Sequence, residues 1–185
     1  MIEDTLLETM EKMEKAVEHT RSQFATVRTG RATPSLVDRI TIEYYGAQVP
    51  LQQLASISVP EARQLLIKPH DRNSLEAIEK AIRESDLGVN PNNDGISIRI
   101  SLPQLTEDRR REYVKVARNM AEDGRISLRS MRRDARKAME SEEKDGEVSE
   151  DDLERAEKEL DKATTGYVDL IDEALSRKEQ ELLEV

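Results

Sequence analysis

The stretch Tyr113 to Ala138, YVKVARNMAEDGRISLRSMRRDARKA, decides the fold. Tyr113, Ala117, Met120, Leu128, Met131, Ala135 and Ala138 recur in steps of three, four and eight residues, and Gly124 fills the slot between Met120 and Leu128. That spacing places all of them on one stripe of an α-helix. Upstream, Pro103 and Thr106 precede Glu107 and Asp108, which put carboxylates at the positive end of the helix dipole. Downstream, Asp145-Gly146 breaks the period. The helix so bounded is about 38 residues and about 57 Å long.

The same spacing recurs at both ends of the chain. Ile2, Leu6, Met10, Met13, Val17, Thr20, Phe24 and Val27 form one stripe; Leu153, Ala156, Leu160, Ala163, Tyr167, Leu170, Ala174 and Leu182 form another, with Lys178 interrupting it. Ser149, followed by Glu150, Asp151 and Asp152, caps the third helix. Three stripes that share one core predict an elongated antiparallel three-helix bundle. Each stripe then has a partner within the chain, so a monomer is expected. Gly124 and Gly166 each cost about 1 kcal/mol in a helix interior, and close helix approach is the expected compensation at both.

Between residues 31 and 103 the helical period stops. Ile40 to Tyr44 alternates, Tyr45-Gly46-Ala47 turns, and Gln48-Val49, Ile57 to Val59 and Leu65 to Ile67 read as strands. Asn73 with Glu76 predicts a capping box that opens a helix along Leu75, Ile78, Ala81 and Ile82, ended by Gly88. Asn93-Asp94-Gly95 turns into the alternating strand Ile96 to Ile100. The expected fold class is therefore α+β. Residues 1–30 and 104–185 make the bundle, and residues 31–103 make an inserted β/α/β domain. The two connections carry Gly30, Thr33-Pro34 and Leu102-Pro103-Gln104, a composition that predicts a hinge.

The full chain of 185 residues has a formal charge of −10, no cysteine and no tryptophan. Disulfides, thiolate metal sites and cysteine nucleophiles are excluded, and a cytoplasmic protein is expected. No run reaches the roughly 20 apolar residues of a membrane span, so no membrane association is expected. There is no glycine-rich phosphate loop. His19 and His70, the two histidines, lack a second ligand at metal spacing. The sequence points to binding rather than to an enzyme, with no metal and no cofactor.

The charge is unevenly placed. Residues 1–30 and 31–103 are near neutral, residues 104–140 carry a net +4 and residues 141–185 a net −11. At 100° per residue Arg110, Arg111, Arg118, Arg125, Arg129, Arg132 and Arg136 fall within an arc of about 100° beside the apolar stripe. They form a row about 39 Å long that is expected to stay largely exposed. A row of planar guanidiniums suits a phosphate track. Alternatively, the acidic third helix neutralises the row within the bundle, and a helical adaptor for protein partners also stays open.

The order of motifs resolves much of this. Arg28-Thr-Gly-Arg-Ala32, Tyr44-Tyr-Gly46, Val59-Pro-Glu-Ala-Arg63, Ser85 to Pro91, Asn93-Asp-Gly95, Leu102-Pro-Gln-Leu-Thr-Glu107, Arg109-Arg-Arg111 and Arg129-Ser-Met-Arg-Arg133 stand in the order and spacing of one family. Across its full length the chain resembles bacterial ribosome recycling factors. The resemblance implies an L-shaped, hinged protein that, with elongation factor G and its GTP hydrolysis, splits post-termination ribosomes into subunits. It further implies that the bundle binds ribosomal RNA of the large subunit and that elongation factor G pushes the small domain. By position it assigns RNA contact to Arg110, Arg129, Arg132 and Arg28; the basic stripe adds Arg125 and Arg136, and Arg31 and Arg133, within the matching motifs, complete the expected contacts. Gly124 departs from the alanine expected at that place.

Overall fold

The computed structural model describes residues 1–184, in two compact units. The helical unit holds Met1–Arg28 and Glu107–Glu184, and the β-rich unit holds Thr29–Thr106. Long helices accompany a small sheet domain, which is the mixed class read from the sequence.

In the helical unit α1 spans Ile2–Ala25, α4 Glu107–Lys144 and α5 Glu150–Leu183. Thr5 Oγ1 donates to Glu142 Oε1, and Thr20 lies against Gly124, so α1 runs antiparallel to α4. Gly146 joins α4 to α5 with a φ of +75°. Its N–H donates to Glu143 O, and that of Glu147 to Glu142 O, the paired bonds of a Schellman end. Ser149 caps α5 by accepting from the Asp152 N–H at 3.1 Å. The fully buried side chains Met13, Leu128, Met139 and Leu160 sit in one core with Ala117, Ala121 and Ile171.

The observed stripes are displaced from the expected ones. On α4 the buried set is Ala117, Ala121, Gly124, Leu128, Ala135 and Met139, while Ala138 is exposed. On α5 Thr164 and Ile171 are buried, while Ala163 and Leu170 are half-buried. The reason is that each helix packs on two neighbours, so its buried face is centred between them rather than on one heptad seam. The two glycines also part company. A Cβ at Gly124 would lie 2.5 Å from Thr20 Oγ1 and 2.9 Å from Ile171 Cδ1, whereas one at Gly166 would meet nothing within 4 Å. Close approach therefore explains Gly124 and not Gly166, which is exposed on α5.

The β-rich unit has two antiparallel sheets. β1 (Thr41–Tyr44) and β2 (Ala47–Pro50) form a hairpin, followed by one helical turn, α2 (Leu51–Leu54). β3 (Ala55–Glu61), β4 (Gln64–Pro69), β5 (Pro91–Asn93) and β6 (Ile98–Ser101) form a sheet of order β3-β4-β6-β5. Register places Leu65 opposite Ile100 and Ile67 opposite Ile98, a fully buried face. Ile78 and Ile82 of α3 (Leu75–Arg83) join the same core. The expected capping box at Asn73 and Glu76 does not form. Instead Asp71 accepts from the Asn73 N–H and starts a short 3-10 turn, Arg72–Ser74, ahead of α3. The α3 helix ends at Arg83, before Gly88, and β5 is a strand the sequence did not suggest, because Pro-Asn-Asn has low strand propensity and its last residue, Asn93, reads as the start of a turn.

A candidate nucleic-acid interface on the second long helix

The heptad period that builds the bundle also spaces the arginines. Arg118, Arg125 and Arg132 recur every seven residues on α4, one helical face along, and that face turns out to lie toward α5. Arg118 Nε donates to Glu179 Oε1 at 2.6 Å, Arg125 Nη2 approaches Asp172 Oδ1 at 2.6 Å, Arg132 Nη1 donates to Asp161 Oδ1 at 3.2 Å, and Arg136 Nε lies 3.1 Å from Glu157 Oε1. Most of the row is exposed, with the Arg118 side chain 63% exposed despite its bond to Glu179, and of these four arginines Arg125 is the exception. Arg125, with its side chain 20% exposed and also bonded to Glu122, is half-buried in the α4–α5 seam. The sequence held the signal, since Glu179 and Asp172 on α5 are also seven apart and run opposite to Arg118 and Arg125.

Electrostatics follow the pairing. The bond to Glu179 holds the Arg118 guanidinium above its ordinary pKa. Burial pulls Arg125 down, but bonds to Asp172 and Glu122 outweigh it and leave the group raised. Arg136 is raised by its bond to Glu140 and by the charge of Glu157. These arginines are committed to carboxylates of the protein, and solvent screening keeps the exposed pairs weak.

The ladder is uneven, and its thin part is the centre. From Arg125 to Arg132 α4 advances seven residues, while their partners Asp172 and Asp161 are eleven apart on α5. Opposite this step α5 carries Ala163-Thr-Thr-Gly-Tyr-Val168, six residues without a charge. Arg129 there bonds only to Glu122 of its own helix, at 3.3 Å, with its side chain 54% exposed. Arg132 is 39% exposed with one bond at 3.2 Å, and Arg133 is exposed and makes no ion pair among the described residues. Arg129 and Arg132 border a shallow depression with Thr164, Thr165 and Val168. An anion approaching α4 here meets the guanidiniums of Arg129 and Arg132, with Glu122 and Asp161 in competition, and Arg133 follows as the next residue on the helix.

The remaining expected contacts lie elsewhere. Arg110 is half-buried in an open groove at the start of α4, together with Arg111, Arg118 and Leu183. Arg28 is exposed just beyond α1, and Arg31 is half-buried in the β-rich unit. Of the link residues, Gly30 has a φ of +78° and Pro34 opens a 3-10 turn, Pro34–Val37. The Leu102 N–H donates to Arg63 O at 2.8 Å, and the Ala32 N–H to Ala62 O at 2.7 Å, so both links are tied to the β3–β4 turn. No group of three histidine, aspartate or glutamate side chains among the described residues is placed to hold a metal ion, and no helix among them is long and apolar enough to cross a membrane.

Comparison with known proteins gives a consistent result. Solved structures of similar shape include a solution structure of a ribosome recycling factor, 44% identical, covering 100% of this chain and 98% of that one with a TM-score of 0.77. Another is described as T. thermophilus ribosome recycling factor and E. coli elongation factor G bound to the E. coli post-termination complex; it is 42% identical over 99% of both chains, with a TM-score of 0.65. Among curated relatives, the ribosome-recycling factors of Acidothermus cellulolyticus and Thermobifida fusca are 59% and 60% identical over all 185 residues, covering the whole of both chains. The sequence pattern of the family described as "Ribosome recycling factor" matches residues 20–183. With its three heptad-patterned helices, its inserted sheet unit and full-length similarity of this degree, the chain belongs to the ribosome recycling factor family.

Proposed function

We propose that this chain, acting with elongation factor G and GTP hydrolysis, splits post-termination ribosomes into subunits and so releases mRNA and tRNA for another round of translation. The helical unit binds ribosomal RNA of the large subunit, and the chain works as a cytoplasmic monomer. It acts as a binding factor and not as an enzyme. The observation that carries the RNA reading is the sparsely paired centre of the arginine row, where Arg129 and Arg132 border Thr164, Thr165 and Val168 of the uncharged Ala163–Val168 stretch of α5 and Arg133 beside them is exposed. Phosphates supply the chemistry that competes best for guanidiniums held by so few carboxylates. Arg28, Arg31 and Arg110 extend the contact, while Arg125 and Arg136 act chiefly by holding α5.

Because the chain carries no phosphate-binding loop, the work of splitting comes from its GTPase partner. The two links, with Gly30, Thr33 and Pro34 on one and Leu102, Pro103 and Gln104 on the other, act as the hinge through which that work is applied. The backbone bonds at Ala32 and Leu102 support a narrower pivot at Gly30 and Pro103-Gln104.

Cosedimentation with purified large ribosomal subunits across a salt series tests the RNA reading. Three to six phosphate contacts, at about 0.7 to 0.9 each, predict that binding falls steeply with salt, with a log–log slope of about −2 to −5. Binding that is flat across the series would favour a protein-only adaptor.

A further inference from the structure

The rungs that join α4 to α5 are not equally buried. Arg118–Glu179, Arg125–Asp172 and Arg136–Glu157 each have one member with its side chain 25% exposed or less, so opening any of them leaves a half-buried charge without its partner. In Arg132–Asp161 the side chains are 39% and 60% exposed, and at 3.2 Å this rung is longer than the other three. Both of its members can turn to water, so it opens at the least cost.

Asp161 is also the one carboxylate among the described residues that borders the depression shared by Arg129, Arg132, Thr164 and Thr165. Arg132 Nη1 donates to its Oδ1, the donor that a phosphate entering the depression would take. Carboxylate and phosphate are alternative acceptors for a planar guanidinium, and two anions side by side repel. RNA can therefore occupy Arg132 only when Asp161 gives it up. Glu122 stands in a different position toward Arg129. Its Oε1 accepts from Arg129 at 3.3 Å, but its Oε2 accepts from the half-buried Arg125 at 3.0 Å, so it stays paired when Arg129 turns to a phosphate.

We propose that Asp161 is an internal competitor for the RNA phosphate at Arg132: it holds the guanidinium while the chain is free and limits how tightly the helical unit binds RNA. The proposal rests on the RNA binding argued above and adds to it a carboxylate that works against the row.

Asp161→Asn keeps the size of the side chain and removes its charge. In cosedimentation with purified large ribosomal subunits at low salt, the variant is expected to bind about fivefold tighter than the starting chain, the upper range for an exposed ion pair. Asp161→Glu, which restores the charge, should lose that gain. In an Arg132→Ala background Asp161→Asn should change binding by less than about twofold, because the guanidinium it competes for is gone. Asp169→Asn is the control for net charge. Asp169 is exposed on α5, makes no ion pair among the described residues and lies outside the depression, so its loss should also change binding by less than about twofold. The melting temperature of Asp161→Asn should stay within about 2 °C of the starting chain. Unchanged or weaker binding by Asp161→Asn would overturn the proposal. So would a gain that persists without Arg132 or is matched by Asp169→Asn, which would make it a general charge effect, or a larger fall in melting temperature, which would make the rung a folding element. Failure of the starting chain to sediment with large subunits would instead count against the RNA binding on which the proposal rests.

Discussion

Replacing Gly124 with leucine is expected to destabilise the helical unit by about 3 kcal/mol, the upper range for overpacking a well-filled interior, and to lower its melting temperature by about 10 °C. The expectation rests on where a side chain would go. Even a Cβ at this position would stand 2.5 Å from Thr20 Oγ1 and 2.9 Å from Ile171 Cδ1, so α1 and α5 both close on the same point of α4. Thr20 cannot readily yield, since its hydroxyl donates to Ala16 O at 3.1 Å and its branched side chain is buried. Gly166 provides the internal control. It is exposed and a Cβ there meets nothing within 4 Å, so Gly166→Ala is expected to stabilise by up to about 1 kcal/mol through helix propensity alone. Thermal unfolding of the two variants side by side reads both signs. A melting temperature unchanged by Gly124→Leu would show that the three helices do not meet at this glycine.

Arg132→Ala is expected to weaken binding to large ribosomal subunits about tenfold, in line with loss of one charge-assisted bond, and to reduce the magnitude of the salt slope by about one. The gain from a phosphate contact is offset by giving up the bond to Asp161, which keeps the figure at the low end. Arg118→Ala should act differently. That guanidinium is bonded to Glu179 at 2.6 Å, so its loss should change subunit affinity by less than about twofold and leave the salt slope unaltered. Equal losses from the two variants would mean that the whole row, and not its sparsely paired centre, meets RNA.

The contrast between these arginines shows what the sequence makes legible and what it hides. Heptad spacing at Leu128, Met13 and Leu160 is a local property, and it specifies long helices with one shared core. The alternation at Ile98 and Ile100 likewise specifies a strand with one buried face. The choice of partner across a seam is not local. Arg118, Arg125 and Arg132 lie on one face of α4 in any helix, yet which carboxylates they meet depends on how α5 is shifted along α4, and the register step opposite Ala163–Val168 emerges only from packing. Gly124 and Gly166 make the same point, since two glycines in long helices look alike until the neighbours of each are known. Similarly, Asn73 and Glu76 carry the spacing of a capping box, and Asp71, two residues earlier, takes the capping role because the preceding strand delivers it in extended conformation.

The central claim is that the arginine row holds the helical unit to ribosomal RNA while a GTPase partner drives the subunits apart. Light scattering of post-termination ribosomes mixed with this chain, elongation factor G and GTP tests it most directly. The account predicts a fall in scattering as subunits separate, requiring all three additions and much slowed when Arg129, Arg132 and Arg133 are all replaced by alanine. Scattering that stays level with the intact chain, or that falls equally fast with the triple variant, would contradict it.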